Sequence, residues 1–239
     1  MQFDALVIGS SSRIAQAVIA QLSNQNDCRI IYTVSQFPPR FFSQKVRPLL
    51  SNYSQESIEE ICQYLQQHTN NLTKVIICNG VLHNTQYTPE KKLEDIQIDQ
   101  LAGLYRSNAI VPMIWLSRLI QVLKGKRNTQ VALFSARVGS ISDNKIGGWY
   151  GYRASKAALN MLIQTSAIEY ARRAKNVKLM AFHPGTTDTP LSKPFQKSVP
   201  EGKLFTPKFV AQRLLSIMDN AKMDNQASFI DWDNKKIEW

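Results

Sequence analysis

The chain has 239 residues, 44% of them hydrophobic and 20% charged, and a formal net charge of +11; this excludes a disordered or fibrous protein and predicts one globular domain over residues 1–239. The apolar start at 3–8 leads into a glycine turn without a cleavage-site pattern, and Pro112 and Arg118 interrupt the apolar stretch 109–123, so we expect a cytoplasmic protein without a membrane-spanning segment. Three scattered cysteines and three unclustered histidines predict neither a disulfide framework nor a metal site.

Strand and helix patterns alternate along the chain. Strands are predicted at 3–8, 29–34, 45–50, 74–78, 129–134, 177–182 and 229–232, and helices at 13–22, 55–67, 99–122, 152–175 and 207–218. This alternation predicts an α/β protein with a doubly wound parallel sheet. The segment 183–206 holds four prolines, and we predict that it is a mobile loop over a site.

The turn between the first strand and the first helix runs from Gly9 through three serines and Arg13 to Ala15. A glycine permits a tight turn, and the helix N-terminus offers unpaired N–H groups and partial positive charge to a diphosphate. Serine hydroxyls can add donors. Turns of this kind are also common where they only connect a strand to a helix. The position of this one at the first strand–helix junction favours phosphate binding.

Tyr152 and Lys156 are four residues apart, so they share one face of the predicted helix. A neighbouring ammonium lowers the pKa of a phenol toward the range that a general acid–base needs; the alternative is an ordinary surface pair. Ser135 directly follows the fifth strand, where ligands bind in such sheets, although it could equally be a strand-ending cap.

The motifs and their order along the chain resemble those of the short-chain dehydrogenase/reductase family over essentially the whole chain. The matching segments are Gly9 to Ala15, Asn79-Gly80, Asn108, Ser135, Tyr152 with Lys156, and Pro184 to Thr189. The stretch from Gly147 to Asn160 and the tail ending in Trp239 are similar to the branch of bacterial C-factor (C-signal) proteins and small carbonyl reductases. The resemblance implies a Rossmann-type fold and an NAD(P)-dependent enzyme that transfers a hydride between a nicotinamide cofactor and a small carbonyl or alcohol.

The resemblance also implies residue roles. Tyr152 would exchange a proton with the substrate oxygen, and Lys156 would lower the pKa of Tyr152 and hold the nicotinamide ribose. Ser135 would orient the substrate oxygen, and Asn108 would support a water-linked proton path. The cofactor would be contacted by Gly9, Ser10, Ser11, Ser12, Arg13, Ile14, Ser35, Asn79, Gly80, Tyr152, Lys156, Pro184, Gly185, Thr187 and Thr189. A homodimer or homotetramer would form through the two long helices and the C-terminal segment.

The sequence departs from the family pattern in the cofactor region. Arg13 takes a glycine position, where it could clash with the diphosphate or clamp it; we favour the clamp. No acidic residue ends the second strand, and Arg13 with Ser35, and Arg40 as a further candidate, could accept a 2′-phosphate, so NADP(H) is favoured over NAD(H). Ser51 replaces an aspartate of the family, which removes an adenine contact. Counting back from Tyr152 would select Ser140 instead of Ser135.

Two other functions stay open at this stage. A signalling or binding protein could retain the fold with secondary catalysis, as the resemblance to C-factor suggests. A nucleic-acid binder would explain the charge, but the basic residues are spread along the chain without a binding module, so we expect a small-molecule substrate and no nucleic-acid partner. Trp149, Tyr150, Phe195 and Phe205 are compatible with an apolar pocket or with simple packing.

Overall fold

The computed structural model describes residues 2–38 and 43–239. The strands are β1 (Phe3–Ile8), β2 (Cys28–Ser35), β3 (Val46–Leu50), β4 (Leu72–Ile77), β5 (Thr129–Phe134), β6 (Val177–His183), β7 (Thr186–Thr187), β8 (Leu204–Phe205) and β9 (Ser228–Asp231). The helices are α1 (Arg13–Ser23), α2 (Gln55–His68), α3 (Ile98–Tyr105), α4 (Val111–Leu123), α5 (Tyr150–Arg173) and α6 (Pro207–Asp219).

Seven strands form one parallel sheet in the order β3-β2-β1-β4-β5-β6-β9. The strand order reverses between β1 and β4, and in such sheets the crevice for a ligand opens at the carboxyl ends of the strands beside this reversal. The topology confirms the predicted Rossmann-type fold. It also brings the ends of β1, β4, β5 and β6, each followed by a candidate functional segment, to one edge.

The sheet is buried on both faces, so neighbouring residues of one strand enter different cores. Leu6 and Ile8 of β1 face a core formed with α2, α4 and α5, in which Trp115 is fully buried. Val7 faces the other core, formed with α1 and α6, together with Phe182 of β6. Burial of each large apolar side chain contributes roughly 1.5–3 kcal/mol, which explains why these strands are apolar almost throughout.

The helix predicted at 99–122 is divided in the structure. A π-helical turn, Arg106–Ile110, separates α3 from α4 and contains Asn108. Pro112 accounts for the break in the α-helix, because it has no amide proton to donate to the carbonyl of Asn108 four residues earlier. π-Helical turns occur frequently at functional sites.

The segment 183–206 has more regular structure than the sequence predicts. β7 and β8 form a small parallel sheet of their own, and a 3₁₀ turn spans Lys193–Ser198. The Ser192 hydroxyl donates to the carbonyl of Thr187 over 2.5 Å. The mobility of this segment stays a prediction.

In the described ranges, no helix combines the length and apolarity needed to cross a bilayer. Nor do three or more His, Cys, Asp or Glu side chains gather there as metal ligands would.

Candidate active site

The turn after β1 is shaped by Gly9. Its φ of +76° lies in the left-handed region, and a Cβ on this residue would be 3.0 Å from the backbone carbon of Cys78 and 3.1 Å from the amide nitrogen of Asn79. The amide groups of Gly9 and Ser10 both donate to the carbonyl of Val34 at the end of β2. The turn is therefore held between its two neighbouring strands, and glycine is needed for both conformation and space.

Free donors lie where the turn enters α1. The Ser12 side chain caps the helix by accepting from the amide of Ala15, and within the described chain the amides of Arg13 and Ile14 donate to no acceptor. Arg13 and Ser11 are exposed, so the guanidinium is not buried in the turn. Two amides, the positive end of the helix dipole and a nearby arginine make this end of α1 suitable for a diphosphate.

Gly80 brings the segment after β4 against two predicted catalytic residues. A Cβ on Gly80 would be 3.2 Å from Nζ of Lys156 and 3.4 Å from Oδ1 of Asn108. Asn108 is fully buried, accepts from the amide of Val81 at 2.7 Å, and donates to the carbonyl of Val81 and to the hydroxyl of Ser155. Asn108 thus connects the end of β4 to α5 at the level of Lys156.

Tyr152 and Lys156 are both buried in the first two turns of α5. The Lys156 Nζ donates to the carbonyl of Phe134 over 2.7 Å and lies 5.8 Å from the centre of the Tyr152 ring. Burial lowers the pKa of Lys156 to about 7. Burial also raises the pKa of Tyr152 above its ordinary value, whereas the sequence predicts that Lys156 lowers it. The buried phenol is therefore protonated at neutral pH and can act as a proton donor.

The Ser135 hydroxyl has a partner within the protein. It donates to Oδ1 of Asn160 over 2.6 Å, and both residues are buried. Asn160 in turn donates to the carbonyl of Gly139, which packs so closely on Lys156 that a Cβ there would be 2.8 Å from the Lys156 backbone. In the structure the Ser135 hydroxyl thus bonds within the protein, and its contact with the substrate oxygen stays a prediction. Ser140, the alternative serine, accepts from the amide of Asp143.

The turn after β6 also faces the edge of the sheet. Gly185 has a φ of +71°, and a Cβ on it would be 2.6 Å from the Phe205 ring, which leaves room only for glycine after Pro184. The Thr187 hydroxyl is buried and has no protein partner in the described ranges. Thr189 is half-buried, and its carbonyl accepts from the amides of Ser192 and Lys193.

Besides Arg13, the residues predicted to accept a 2′-phosphate are Ser35 and Arg40. The Ser35 hydroxyl is buried and donates to the carbonyl of Phe37 over 2.6 Å. Arg40 lies outside the described residues. An open hollow near the ends of β2 and β3 is lined by Gln36, Phe37, Leu50, Ser51, Asn52, Ser54, Glu56, Ser57 and Glu60.

An aromatic wall extends outward from Tyr152. The Trp149 ring centre is 6.3 Å from that of Tyr152 and 4.9 Å from that of Phe195. The ring of His83 lies 5.8 Å from Phe195, and its Nε2 is 3.0 Å from the carbonyl of Leu191. Trp149 and Phe195 therefore pack together beside Tyr152, whereas Phe205 packs on Trp232, and their place in a substrate pocket stays a prediction.

Sequence reasoning missed three polar residues at this edge: His83, Glu90 and Asn160. Glu90 is 1% exposed, and both its carboxylate oxygens are 3.3 Å from the amide of Gly151. Its contact partner is 61 positions away in the chain, and no local pattern predicts such a contact. Asn160, four residues after Lys156, shares the face of the predicted helix that carries the predicted catalytic pair, and this was an available signal.

These residues fit a nicotinamide dinucleotide. Buried polar atoms without protein partners in the described ranges include Oγ of Ser10, Oγ1 of Thr33, Oδ1 of Asn79 and Oγ1 of Thr187. Buried polar atoms normally have hydrogen-bond partners, and these four lie on segments that reach the carboxyl edge of the sheet. A polar ligand along this edge would satisfy them, while the N-terminus of α1 would bind its diphosphate.

A family model described as short chain dehydrogenase matches residues 4–200. The chain therefore belongs to the short-chain dehydrogenase family and is an oxidoreductase that transfers a hydride between a nicotinamide cofactor and a carbonyl or alcohol.

Individual relatives agree with this family. The chain is 26% identical to the 1-hydroxy-2-glutathionyl-2-methyl-3-butene dehydrogenase of Rhodococcus sp. (strain AD45), over 98% of this chain and 98% of that protein. It is 27% identical to the C-signal protein of Myxococcus xanthus, over 62% of this chain and 83% of that protein. The structure of NADPH-bound carbonyl reductase from chicken fatty liver matches it with a TM-score of 0.78 at 18% identity, covering 100% of both chains. The predicted family and the resemblance to C-signal are thereby confirmed.

Proposed function

We propose that the protein is a carbonyl reductase in which Tyr152 gives the proton to the substrate oxygen. The observation that supports this most is a buried lysine beside Gly80 and Asn108 whose Nζ lies 5.8 Å from the ring centre of the buried Tyr152. Carbonyl reduction consumes a proton at the oxygen, and the phenol of Tyr152, which is protonated at neutral pH, can supply it. The nicotinamide, when bound, supplies the hydride.

The residues around Tyr152 are proposed to bind the cofactor, hold a water and fix the neighbouring segments. Lys156, whose pKa burial lowers to about 7, is proposed to leave the carbonyl of Phe134 and hold the ribose of the cofactor. Asn108 fixes the segment after β4, and its main-chain carbonyl, which cannot accept from Pro112 four residues later, is proposed to hold the water of a proton path. Ser135 is proposed to brace the end of β5 through Asn160 instead of contacting the substrate.

The substrate is proposed to be a small, largely apolar carbonyl compound. The wall formed by Trp149, Phe195 and the edge of His83 lies next to Tyr152 and offers ring faces with few charges. Aromatic walls bind flat apolar groups well, because rings add stacking to the burial of area.

NADP(H) is proposed as the preferred cofactor. The end of β2 has no carboxylate for ribose hydroxyls, and the exposed Arg13 at the N-terminus of α1 is proposed to bind the 2′-phosphate. Glu56 and Glu60 line the nearby hollow, so positive charge from Arg13 is needed to favour the phosphate. The carbonyl reductase from chicken fatty liver binds NADPH.

A homodimer or homotetramer in the cytoplasm is also proposed. Ala109, Leu116 and Ala167 are in the core, whereas Met161 of α5 is 65% exposed. Ile168, seven residues later on the same face of α5, is 52% exposed. Two exposed apolar side chains on one face of a long helix are proposed to contact a second copy.

The function is tested by following NADPH and NADH oxidation with a panel of aromatic and aliphatic aldehydes, ketones and diketones. Tyr152→Phe is expected to lower kcat by roughly 10²–10⁴-fold while binding of NADPH, followed by fluorescence, is retained. Tyr150→Phe, two residues away on the same helix, is the matched control and should keep activity. Failure of the wild-type chain to bind either cofactor would contradict the proposal.

A further inference from the structure

The helix that carries Tyr152 has no cap of its own. α5 is 24 residues long, and its N-cap residue, Trp149, has a left-handed backbone with φ of 54° and no side-chain hydrogen bond to the first turn. The first turn contains no acidic residue either. The first amides of a helix have no partner within the helix, so this end depends on acceptors from elsewhere in the chain.

Glu90 supplies those acceptors. Its carbonyl accepts from the amide of Trp149 over 2.7 Å, and its two carboxylate oxygens are each 3.3 Å from the amide of Gly151. A Cβ at Gly151 would be 2.8 Å from the Glu90 carboxylate, so glycine is what allows the approach. A carboxylate is costly to bury unless hydrogen bonds compensate, and the positive end of the α5 dipole also favours it here.

The segment that carries Glu90 is itself fixed against α3. The side chain of Gln100 donates to the carbonyl of Thr88 over 2.9 Å. The ring of Tyr87 packs so tightly on Gly103 that a Cβ there would be 2.8 Å from it. The segment that carries the Glu90 carboxylate is therefore held in place by α3, so this carboxylate can determine where the first turn of α5 lies.

We propose that Glu90 is a positioning residue that sets the N-terminal turn of α5 and, through it, the phenol of Tyr152 and the indole of Trp149. This inference rests on the proposed role of Tyr152 as proton donor. Glu90 acts through the amides of Trp149 and Gly151 and so is not a catalytic residue itself. Because a misplacement of about 1 Å can cost on the order of a hundredfold in rate, loss of this brace should appear mainly in kcat.

The test compares Glu90→Ala and Glu90→Gln with Glu94→Ala, which removes an exposed glutamate from the same segment. Glu90→Ala is expected to lower kcat by roughly tenfold to a hundredfold, with the KM for NADPH nearly unchanged. Glu90→Gln should restore much of this loss, because its amide oxygen still accepts from Gly151. Glu94→Ala should match the wild type.

A second readout needs no cofactor and no activity. Hydrogen exchange of a peptide covering residues 148–155 is expected to be faster in Glu90→Ala than in the wild type and unchanged in Glu94→Ala. If Glu90→Ala does not fold, Glu90→Asp, which withdraws the carboxylate by one methylene, should show both effects in smaller size. Wild-type exchange or wild-type kcat in folded Glu90→Ala, or in Glu90→Asp where Glu90→Ala does not fold, overturns the inference. Absence of activity in the wild type would overturn the redox function alone, because exchange still reports on the brace.

Discussion

Replacing Ser135 with alanine separates a structural role from a catalytic one. The Ser135 hydroxyl donates to Oδ1 of Asn160 over 2.6 Å, and each residue is only 3% exposed. Alanine leaves this amide oxygen buried without its donor, which costs roughly 1–3 kcal/mol. The other bond of Asn160, to the carbonyl of Gly139, is unaffected. We expect the free energy of unfolding of Ser135→Ala, measured by urea denaturation, to fall by about 2 kcal/mol.

The activity of the same variant is expected to change much less. The single hydroxyl proton of Ser135 is already given to Asn160, so this arrangement offers no donor to the substrate oxygen. A hydroxyl that stabilised the developing charge would be worth roughly 10²–10³ in kcat, whereas we expect a loss below about tenfold. Ser140→Ala tests the alternative serine in the same assay. A hundredfold loss of kcat in Ser135→Ala with unchanged stability would refute the structural role.

Three further predictions concern pH, cofactor preference and assembly. Burial lowers the pKa of Lys156 from 10.5 to about 7. Between these two pH values the unfolded chain holds a proton that the folded chain has released. The free energy of unfolding should therefore rise with pH by up to roughly 1.4 kcal/mol per pH unit. Lys156→Met should lose this rise between pH 7 and 9 in denaturant titrations, and an identical slope in both proteins contradicts the shift. Arg13→Ala should weaken NADPH binding by roughly tenfold and NADH binding little; fluorescence titrations giving equal losses would end the 2′-phosphate assignment. Met161→Glu should convert the proposed oligomer into a monomer, as measured by light scattering. A wild-type protein that is already monomeric would contradict the proposed oligomer.

The main sheet could be predicted from the sequence because its strands are buried on both faces. A doubly buried strand is a short apolar run whatever its neighbours are, and the bounds predicted for β1 and β5 match the structure. The helix predicted at 99–122 was wrong in one respect, since a π-helical turn divides it at Asn108. The signal was present in Pro112, which lacks the amide proton that the carbonyl of Asn108 would need. Apolar periodicity could not show this, because it continues through the turn.

Within the site, the sequence predicted residue identities better than side-chain directions. Tyr152 and Lys156 are one helical turn apart, so their proximity is local and predictable. The direction of the Ser135 hydroxyl depends on Asn160, 25 positions later, and the pKa of Tyr152 depends on burial by the whole fold. Sequence spacing gives neither quantity, because both are set by tertiary packing.

The polar contacts of α5 suggest how catalysis and specificity are divided in this protein. Glu90 holds the N-terminus of the helix, Asn108 holds Ser155 in its second turn, and Ser135 holds Asn160 one turn further. These contacts come from three different segments, so Tyr152 is fixed by braces that do not depend on one another. The wall residue Phe195, by contrast, belongs to the separate segment after β6. Substitutions of Glu90, Asn108 or Ser135 should therefore act mainly on kcat. Substitutions of Phe195 should act mainly on the KM and the choice of carbonyl substrate, because they leave the proposed proton donor in place.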